Sequence, residues 1–456
     1  MKSNISLIGG VVFAATIGGS LWSVGFPAAA CWTAAITTLC GVWWVLEPIP
    51  IPATSIIPFA LFPLAGVMDH REVAASYGHH IVMLVIGGLM LSAGMEKSGA
   101  HRRVAMTVVR ALGGQSGRRV VLGFMLASAG MSMWISNTAT SVILLPVGLA
   151  VLEQTRHKAR LAVPLLLGIA YGASVGGIGT PIGSSTRPIF MAVYKEFTGV
   201  EITFWDWMQL GIPAVVIFLP IVWLWLTRSI GDVKDITSPV AGPWRTEERR
   251  VLTVFAVAAL AWITRSAPFG GWSEWLGIPG AGDSTVALTA ALALFLMPDG
   301  HGERSLDWKW AVKIPWGILL LVGGGIAIAR AFEVSGLSQE MGQALSGLGS
   351  LPPLVMMVVI CLGVTFLTEV TSNTATTALL MPVLAAAGLA ADIDPSRIMI
   401  PAVISASCAF MLPAATGPNA IVFSSGLVSV REMAREGFVL NLIGVVVVTA
   451  LCYFLV

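Results

Sequence analysis

Long apolar runs, separated by short polar stretches, cover almost the whole of this chain. They fall at about 5–22, 28–46, 52–68, 78–95, 101–112, 118–152, 161–194, 208–228, 250–264, 283–298, 314–334, 352–390, 397–426 and 433–455. Because a transmembrane α-helix needs about 20 apolar residues in a row, most of these runs can cross a bilayer as single helices. Several are too long for one helix and contain polar triplets near the middle. The pattern predicts an all-α polytopic membrane protein in which some helices are interrupted.

The composition agrees with a protein that lies in a lipid bilayer. Only 11% of the 456 residues are Asp, Glu, Lys or Arg, whereas 56% are hydrophobic, and the mean hydropathy is +0.85. A soluble domain carries about 25% charged residues, so this chain has too few charges to cover a surface in water. At about 20 residues per span, its apolar residues allow at most about a dozen crossings. The net charge of +2 and the lack of a long Lys/Arg stripe argue against a nucleic-acid partner.

The sequence repeats itself. Three segments of the first half recur in the second half in the same order: 81–100 as 318–337, 134–147 as 370–383, and 179–190 as 412–423. The first two pairs are offset by 237 and 236 residues, so the spacing is nearly constant. Internal repeats of this kind indicate that the fold is built from two similar units.

The most polar stretch, 229–249, predicts a linker between the two halves. We therefore divide the chain into N-terminal span(s) at 1–42, a first repeat at 43–228, this linker, and a second repeat at 250–456. Repeats that carry interrupted apolar segments at equivalent places indicate a secondary transporter, whose binding site is expected near the middle of the membrane.

A Ser-Asn-Thr triplet lies inside a long apolar run of each half, at 136–138 and 372–374. Non-helical backbone at membrane depth is tolerated only where it is buried in protein or lines a cavity, so we expect each helix to break there. Freed carbonyls together with Ser, Thr and Asn oxygens form an uncharged oxygen cage that suits Na⁺. The helix that follows each break directs its N-terminal amides at the gap, ready for an anion. A single triplet is also compatible with a helix-packing patch, but the second copy argues against this alternative.

Two further segments are predicted to break the helical pattern. The stretches 172–184 and 413–419 are rich in Gly and Pro, which interrupt helices and let the backbone approach a ligand closely. Glycine alone is weak support, because many membrane helices use it for close packing. Facing a triplet of the same half, each stretch would complete an ion site.

The apolar segments 78–99 and 314–336 are predicted to be re-entrant hairpins. Each contains glycines midway, Gly87-Gly88 in the first and Gly323 to Gly325 in the second, and each ends in charged residues. A segment that turns back at its glycines, entering and leaving on one side of the membrane, fits this pattern better than a full span.

Both triplets with their flanking residues, in 132–140 and 368–376, and the loop Ala-Thr-Gly-Pro-Asn at 415–419 resemble the divalent anion/sodium symporter family. The resemblance extends over nearly the whole chain. It implies two inverted-topology repeats, about 11 transmembrane helices plus two re-entrant hairpins, and scaffold and transport domains that work by an elevator motion. It also implies a homodimer in the bacterial inner (plasma) membrane, Na⁺ as coupling ion with no organic cofactor, and di- or tricarboxylate substrates, or sulfate in some branches.

Site residues follow from the same motifs. The first Na⁺ site would use Ser132, Ser136, Asn137 and the carbonyl of Gly183, and the second would use Thr368, Thr371, Asn373 and the carbonyl of Ala415. The residues expected to face the substrate are Ser136, Asn137, Thr138, Ser184, Arg187, Ser372, Asn373, Thr374 and Thr416. Glu369, next to the second triplet, is either a proton-coupled carboxylate or a hydrogen-bonded structural acid.

Arg187 departs from the family pattern. The family usually has Pro-Pro-Asn after the first-half Gly-Ser, whereas this chain has Ser185-Thr186-Arg187, which places Arg187 opposite Asn419 in the repeat. An arginine near an anion site is costly unless it has a partner or faces water. Its guanidinium either binds a substrate carboxylate or sulfonate directly, or pairs structurally, for example with Glu196.

The leading hypothesis is Na⁺-coupled symport of small di- or tricarboxylate-type anions. The alternatives within transport are a sodium-independent anion exchanger, in which Arg187 replaces a cation, and a transporter of sulfate or sulfonated anions that Arg187 contacts. The sequence has no HExxH motif and no paired intramembrane aspartates, so an intramembrane enzyme is not expected. A channel would require continuous pore-lining helices rather than two matched pairs of broken ones.

Overall fold

The computed structural model describes residues 2–113, 116–155, 157–231, 233, 242–266, 270–340 and 352–456. Within these ranges the regular structure is α-helical, apart from one isolated β-bridge between Pro298 and Arg304. The helices are α1 Lys2–Val24, α2 Ala28–Leu46, α3 Ile51–Thr54, α4 Ile57–Leu64, α5 His70–Tyr77, α6 His80–Ser98, α7 Ala100–Gly113, α8 Gly117–Ser132, α9 Asn137–Gln154, α10 Lys158–Gly176, α11 Thr186–Thr198, α12 Phe204–Thr227, α13 Thr246–Ile263, α14 Gly271–Trp275, α15 Asp283–Leu296, α16 Trp308–Ala311, α17 Trp316–Val334, α18 Pro353–Leu367, α19 Asn373–Ala390, α20 Ser396–Ser405, α21 Gly417–Ser424 and α22 Val430–Leu455.

Eight helical segments of the described chain are long and apolar enough to cross a membrane: Asn4–Val24, Ala28–Leu46, His70–Ser98, Lys158–Gly176, Phe204–Thr227, Trp316–Val334, Asn373–Ala390 and Val430–Leu455. Large apolar side chains cover their outer faces; Leu224 and Val446, for example, are 59% and 68% exposed. In water such a surface would be unfavourable, whereas lipid solvates it. The prediction of an all-α polytopic membrane protein is confirmed.

Each Ser-Asn-Thr triplet lies at the tip of a helical hairpin. The helix α8 ends at Ser132 and α9 begins at Asn137, so the chain breaks where the sequence predicts. A Cβ atom at Gly148, three turns into α9, would lie 3.8 Å from the ring of Phe124, two turns before the end of α8. The two helices therefore run back alongside each other. In the second half, Met356 and Ile360 of α18 share an apolar cavity with Leu384 and Ala387 of α19, which indicates the same reversal.

The hairpins predicted at 78–99 and 314–336 are wrong. The helix α6 runs without interruption through Gly87 and Gly88, and α17 does the same through its glycine triplet. These glycines allow helices to pack closely: a Cβ atom at Gly87 would lie 2.5 Å from Ala287 Cβ in α15, and one at Gly323 would lie 2.7 Å from the Tyr77 ring. The reversals of the chain are at α8–α9 and α18–α19 instead.

At the centre of the protein, helices of each half pack on helices of the other half. The helix α11, which follows the glycine-rich break of the first half, packs on α19, which follows the second triplet. Conversely, α21 of the second half packs on α9 of the first. This reciprocal packing brings both triplets and both glycine-rich breaks to one place.

The repeat extends further than the sequence comparison indicates. Thr203 and Asp206 form a capping box at the start of α12, and Ser429 and Glu432 form one at the start of α22. These are the last helices of the two predicted repeats, and a capping box fixes where each begins. Other predicted boundaries are less well matched, because α2 continues to Leu46, beyond the predicted end at 42. Residues 232 and 234–241 of the predicted linker lie outside the described residues.

Candidate anion and sodium site

A cavity of about 310 Å³ lies where the four breaks meet. Eight of the nine residues predicted to face the substrate line it: Ser136, Asn137, Thr138, Ser184, Ser372, Asn373, Thr374 and Thr416. The helices α6 and α17 close it on the other side with apolar residues, among them Val85 and Ile318. No Asp, Glu, Lys, Arg or His of the described chain lines this cavity, so its electrostatics come from backbone dipoles and hydroxyl groups.

Four helices begin at the cavity wall. The N-cap residues of α9, α11, α19 and α21 are Ser136, Ser185, Ser372 and Thr416, and all four line the cavity. The first-turn amides of a helix have no partner within the helix, and its N-terminus carries a partial positive charge. Four such termini around one cavity form an anion site that requires no basic side chain.

The first triplet belongs to a cluster of oxygen atoms beside this cavity. One end of the Asn137 side-chain amide lies 2.5 Å from Ser132 Oγ, 3.1 Å from the carbonyl oxygen of Gly183 and 3.3 Å from that of Ala173. An NH₂ group at this end has only two hydrogens for three acceptors. With the amide oxygen there, it and three further hard oxygen atoms lie close together, which is the kind of ligand set that Na⁺ accepts.

Glycine makes this close approach possible. A Cβ atom at Gly183 would lie 2.8 Å from the carbonyl oxygens of both Ser132 and Gly177. One at Gly177 would lie 2.5 Å from Asn137 Oδ1. Both distances are shorter than a Cβ atom tolerates, so only glycine lets the break after α10 pack against the hairpin tip. The carbonyl of Ala173 could not be predicted as a member of this cluster, because the sequence pattern does not indicate which backbone oxygens face a site.

The second triplet builds a matching cluster. Thr368 Oγ1 lies 2.6 Å from Asn373 Oδ1 and 3.2 Å from the carbonyl oxygen of Ala406, and one hydroxyl hydrogen cannot serve both acceptors. The spacing from Thr368 to Asn373 equals that from Ser132 to Asn137. Ala415 lines the same cavity as Asn373. The two clusters therefore share one element, a hydroxyl oxygen in contact with the side chain of the asparagine five residues later.

Two predicted Na⁺ ligands have other partners. The hydroxyl of Thr371 lies 2.6 Å from Thr376 Oγ1 and donates to the carbonyl of Leu367 at 2.8 Å, so the structure does not place it in the second cluster. Ser136 lines the cavity, and its Oγ accepts the Ala139 amide at 3.2 Å as the cap of α9.

Arg187 does not line the cavity, and it does not pair with Glu196. The residue is fully buried, and its Nη1 donates to Thr186 Oγ1 at 2.8 Å. Its guanidinium carbon lies 5.9 Å from the centre of the Trp207 ring, while Nε and Nη2 have no hydrogen-bond partner within the described chain. Glu196 pairs with Arg330 instead, at 3.2 Å.

Glu369 holds the second break in place. Its carboxylate accepts the backbone amides of Phe410, Met411 and Leu412 at 2.7–3.0 Å, and the side-chain amide of Asn441 at 2.8 Å. A carboxylate that accepts four N–H donors is a structural acid, which is the second of the two predicted alternatives. The side-chain amide of Asn419 reinforces the same loop, because it donates to the carbonyls of Ala409 and Leu412.

Comparison with known proteins agrees with this arrangement. The family model described as the sodium:sulfate symporter transmembrane region matches residues 2–455. The chain is 38% identical to the sodium-dependent dicarboxylate transporter SdcS of Staphylococcus saprophyticus over 447 residues, which cover 92% of this chain and 85% of that protein. It is 36% identical to SdcS of Staphylococcus aureus strain USA300, with the same coverage.

Two solved transporter structures share the fold. The YdaH transporter of Alcanivorax borkumensis superposes with a TM-score of 0.63 at 15% identity, covering 92% of this chain and 99% of that one. MtrF of Neisseria gonorrhoeae superposes with a TM-score of 0.61 at 12% identity, covering 91% and 96%. At these identities the likeness concerns the fold alone. The staphylococcal relatives are far more similar in sequence, and the family model matches almost the whole chain. Both confirm the family expected from the paired triplets: the chain belongs to the sodium:sulfate symporter family of integral membrane transporters.

Proposed function

We propose that the protein is a Na⁺-coupled symporter of small dicarboxylates in the bacterial plasma membrane. The observation that carries this proposal is the pair of matched oxygen clusters, at Asn137 and at Asn373, on either side of a cavity formed by four helix N-termini. The staphylococcal relatives are named sodium-dependent dicarboxylate transporters, which supports the same coupling ion and substrate class here.

Coupling follows from the way the two kinds of site share residues. Asn137 and Asn373 each belong to an oxygen cluster and also line the anion cavity. A cation bound at each cluster fixes the hairpin tip beside it and adds positive potential to a cavity that has no basic side chain. Two monovalent cations balance the two charges of a dicarboxylate, so cation and anion bind together more tightly than either binds alone.

The size of the cavity favours small anions. Sites for drug-sized ligands are about 300–1,000 Å³, and this cavity of about 310 Å³ is at the lower end of that range. We therefore place four-carbon dicarboxylates such as succinate before the larger tricarboxylates, and the names of the staphylococcal relatives favour them over sulfate. Sodium-independent exchange is not favoured, because Arg187 lies in neither oxygen cluster and so replaces no cation.

Uptake into proteoliposomes tests this proposal. Purified protein is reconstituted, and uptake of radiolabelled succinate, citrate and sulfate is measured with an inward Na⁺ gradient and with K⁺ in place of Na⁺. We expect succinate uptake that requires Na⁺ and exceeds uptake of the other two anions. Succinate uptake that is equally fast in K⁺, and that depends on unlabelled dicarboxylate inside the vesicles, would establish the exchanger instead.

We further propose that transport uses an elevator motion. In this proposal α8–α12 and α18–α22 form the transport domain, and α1–α4 with α13–α15 form the scaffold. The reciprocal packing of α11 on α19 and of α21 on α9 supports a single moving unit. The helix α6 lies between the two domains, because Gly87 faces Ala287 of the scaffold and Gly88 faces Ile182 at the cavity.

A disulfide between the two domains tests the motion. A Cβ atom at Gly41 in α2 would lie 2.6 Å from the Leu379 side chain in α19, so Gly41→Cys with Leu379→Cys can be oxidised in a background without native cysteines. We expect oxidation to stop succinate uptake and reduction to restore it. The control pair, Gly148→Cys with Ile169→Cys, lies within the transport domain and should leave uptake unchanged. Undiminished uptake by a fully crosslinked Gly41–Leu379 pair contradicts the elevator.

The protein is also proposed to be a homodimer, as the family resemblance implies. Light scattering of the purified protein in detergent measures the mass of the protein component directly. A mass of twice 47.9 kDa is expected. A mass of one protomer, at concentrations where succinate still binds, contradicts a dimer.

A further inference from the structure

Arg187 carries a positive charge, and no acidic residue of the described chain forms an ion pair with it. The side chain is fully buried, and two of its three nitrogens have no hydrogen-bond partner among the described residues. Burying an unpaired charge inside a membrane protein is costly, and such residues are usually functional. The third nitrogen, Nη1, directs the charge towards Thr186, which is also fully buried.

Thr186 connects this charge to the cavity. Its Oγ1 accepts from Arg187 Nη1 at 2.8 Å and lies 3.2 Å from Ser184 Oγ. Ser184 lines the cavity, whereas Thr186 and Arg187 do not. The neighbouring hydroxyl of Ser185 is engaged elsewhere, because it lies 2.6 Å from Thr374 Oγ1.

The direction of these hydrogen bonds is fixed by chemistry. A guanidinium group only donates, so Thr186 Oγ1 must accept from it. Ser184 Oγ is the one acceptor recorded for the Thr186 hydroxyl hydrogen within the described chain, and a buried hydroxyl without an acceptor is unfavourable. Ser184 therefore accepts from Thr186, which leaves its own hydrogen free to point into the cavity.

We propose that Arg187 positions the anion without touching it: through Thr186 it fixes Ser184 as a hydrogen-bond donor to one substrate carboxylate, and it polarises that donor. This inference rests on the proposed function, since it concerns the same cavity. A chain of hydrogen bonds that starts at a fixed charge strengthens its last member. Among the described residues of the second half there is no such relay, because Thr416 Oγ1 accepts the backbone amide of Asn419, whose side chain donates to backbone carbonyls.

Binding of succinate to the purified protein in saturating Na⁺, measured by calorimetry, tests the relay with a double-mutant cycle. Thr186→Val removes the connecting hydroxyl at nearly constant volume, and affinity should fall about tenfold, the scale of one charge-assisted hydrogen bond. Ser184→Ala should lose at least as much. The double variant should bind no more weakly than Ser184→Ala, because both changes break one chain. Thr186→Ser should restore binding, and Thr227→Val, a buried threonine remote from the cavity, should bind like the parent.

Arg187→Gln gives a second measurement that separates positioning from structure. Glutamine keeps a neutral N–H donor but removes the unpaired charge, so thermal stability should rise while succinate affinity falls several-fold. The Na⁺ concentration for half-maximal binding should stay within twofold of the parent, because neither oxygen cluster is touched. A stability loss with unchanged affinity means that Arg187 is structural, and additive losses in the cycle overturn the relay. A parent protein that binds no dicarboxylate in Na⁺ overturns the proposed function and the relay together.

Discussion

The two halves of the protein build the same oxygen cluster on different supports. In both, a hydroxyl residue five positions before an asparagine brings its oxygen to the asparagine side chain, as in Ser132 with Asn137 and Thr368 with Asn373. The loops behind the clusters, which lie in the repeated segments 179–190 and 412–423, differ in the contacts that support them. The first is packed through glycines, and the second is held by the carboxylate of Glu369.

The difference extends to charge. The first half buries a positive charge, Arg187, behind its break, whereas the second half buries a negative one, Glu369. The two hairpin tips thus share the contact between a hydroxyl and an asparagine, while the loops behind them are supported by different groups. In the function proposed above, ligand chemistry restricts the hairpin tips more than it restricts these loops. This difference predicts that matched changes at the tips have matched effects, whereas changes in the loops do not.

The largest effect is expected at the two asparagines. Asn137→Ala and Asn373→Ala each remove the side-chain oxygen at the centre of one cluster, so each should reduce Na⁺-driven succinate uptake at least about a hundredfold, the loss expected when a binding oxygen and its geometry both disappear. Uptake into proteoliposomes measures this, with size-exclusion profiles to confirm folding. If only one of the two variants loses uptake, the two oxygen clusters are not equivalent.

A glycine on the first-half loop should matter almost as much. Gly177→Ala places a Cβ atom 2.5 Å from Asn137 Oδ1, which forces the amide away from its partners. We expect the Na⁺ concentration for half-maximal uptake to rise at least about tenfold, which corresponds to about 1.4 kcal/mol of binding free energy. Gly130→Ala is the matched control, because a Cβ atom at Gly130 meets nothing within 4 Å. Unchanged Na⁺ activation in Gly177→Ala would remove Asn137 from the cation site.

On the second-half loop the support is a carboxylate, and its loss should appear first as instability. Glu369→Gln leaves an NH₂ group facing backbone amides that need an acceptor, which costs about 1–3 kcal/mol for each buried donor left unpaired. We expect a lower unfolding temperature, measured in detergent, and weakened succinate binding. Thr180→Val is the first-half counterpart, because Thr180 Oγ1 donates to the Met133 carbonyl and accepts the Gly183 amide. It should destabilise less, and equal losses would contradict the contrast between the two supports.

The helix breaks at the two triplets and the cavity between them could be predicted from the sequence, because polar residues inside apolar runs have few explanations. The sequence could not place the hairpins, since glycines in an apolar helix serve equally to break it or to pack it, and only the neighbours of Gly87 and Gly323 decide between these. Glu369 supports the second loop by accepting the amide of Phe410, which is distant in sequence. Arg187 is buried beside Trp207, which lies in another helix. The hydrophobic pattern and the spacing of motifs do not predict such contacts.

The smallest effect is expected at a residue that the motif assigns to the second cation site and the structure does not. Thr371 Oγ1 is engaged by Thr376 and by the Leu367 carbonyl, whereas Thr368 Oγ1 contacts Asn373 at 2.6 Å. Thr371→Val should therefore cost about 1 kcal/mol of stability for one lost hydrogen bond and leave Na⁺ activation of uptake at the parental value. Thr368→Val, the same change three residues earlier, should raise the Na⁺ requirement strongly. Both variants are measured side by side in one vesicle preparation. A shifted Na⁺ requirement in Thr371→Val would show that this residue belongs to the second cation site. The two clusters would then not be equivalent, because the counterpart position in the first half is Ile135, which has no side-chain oxygen.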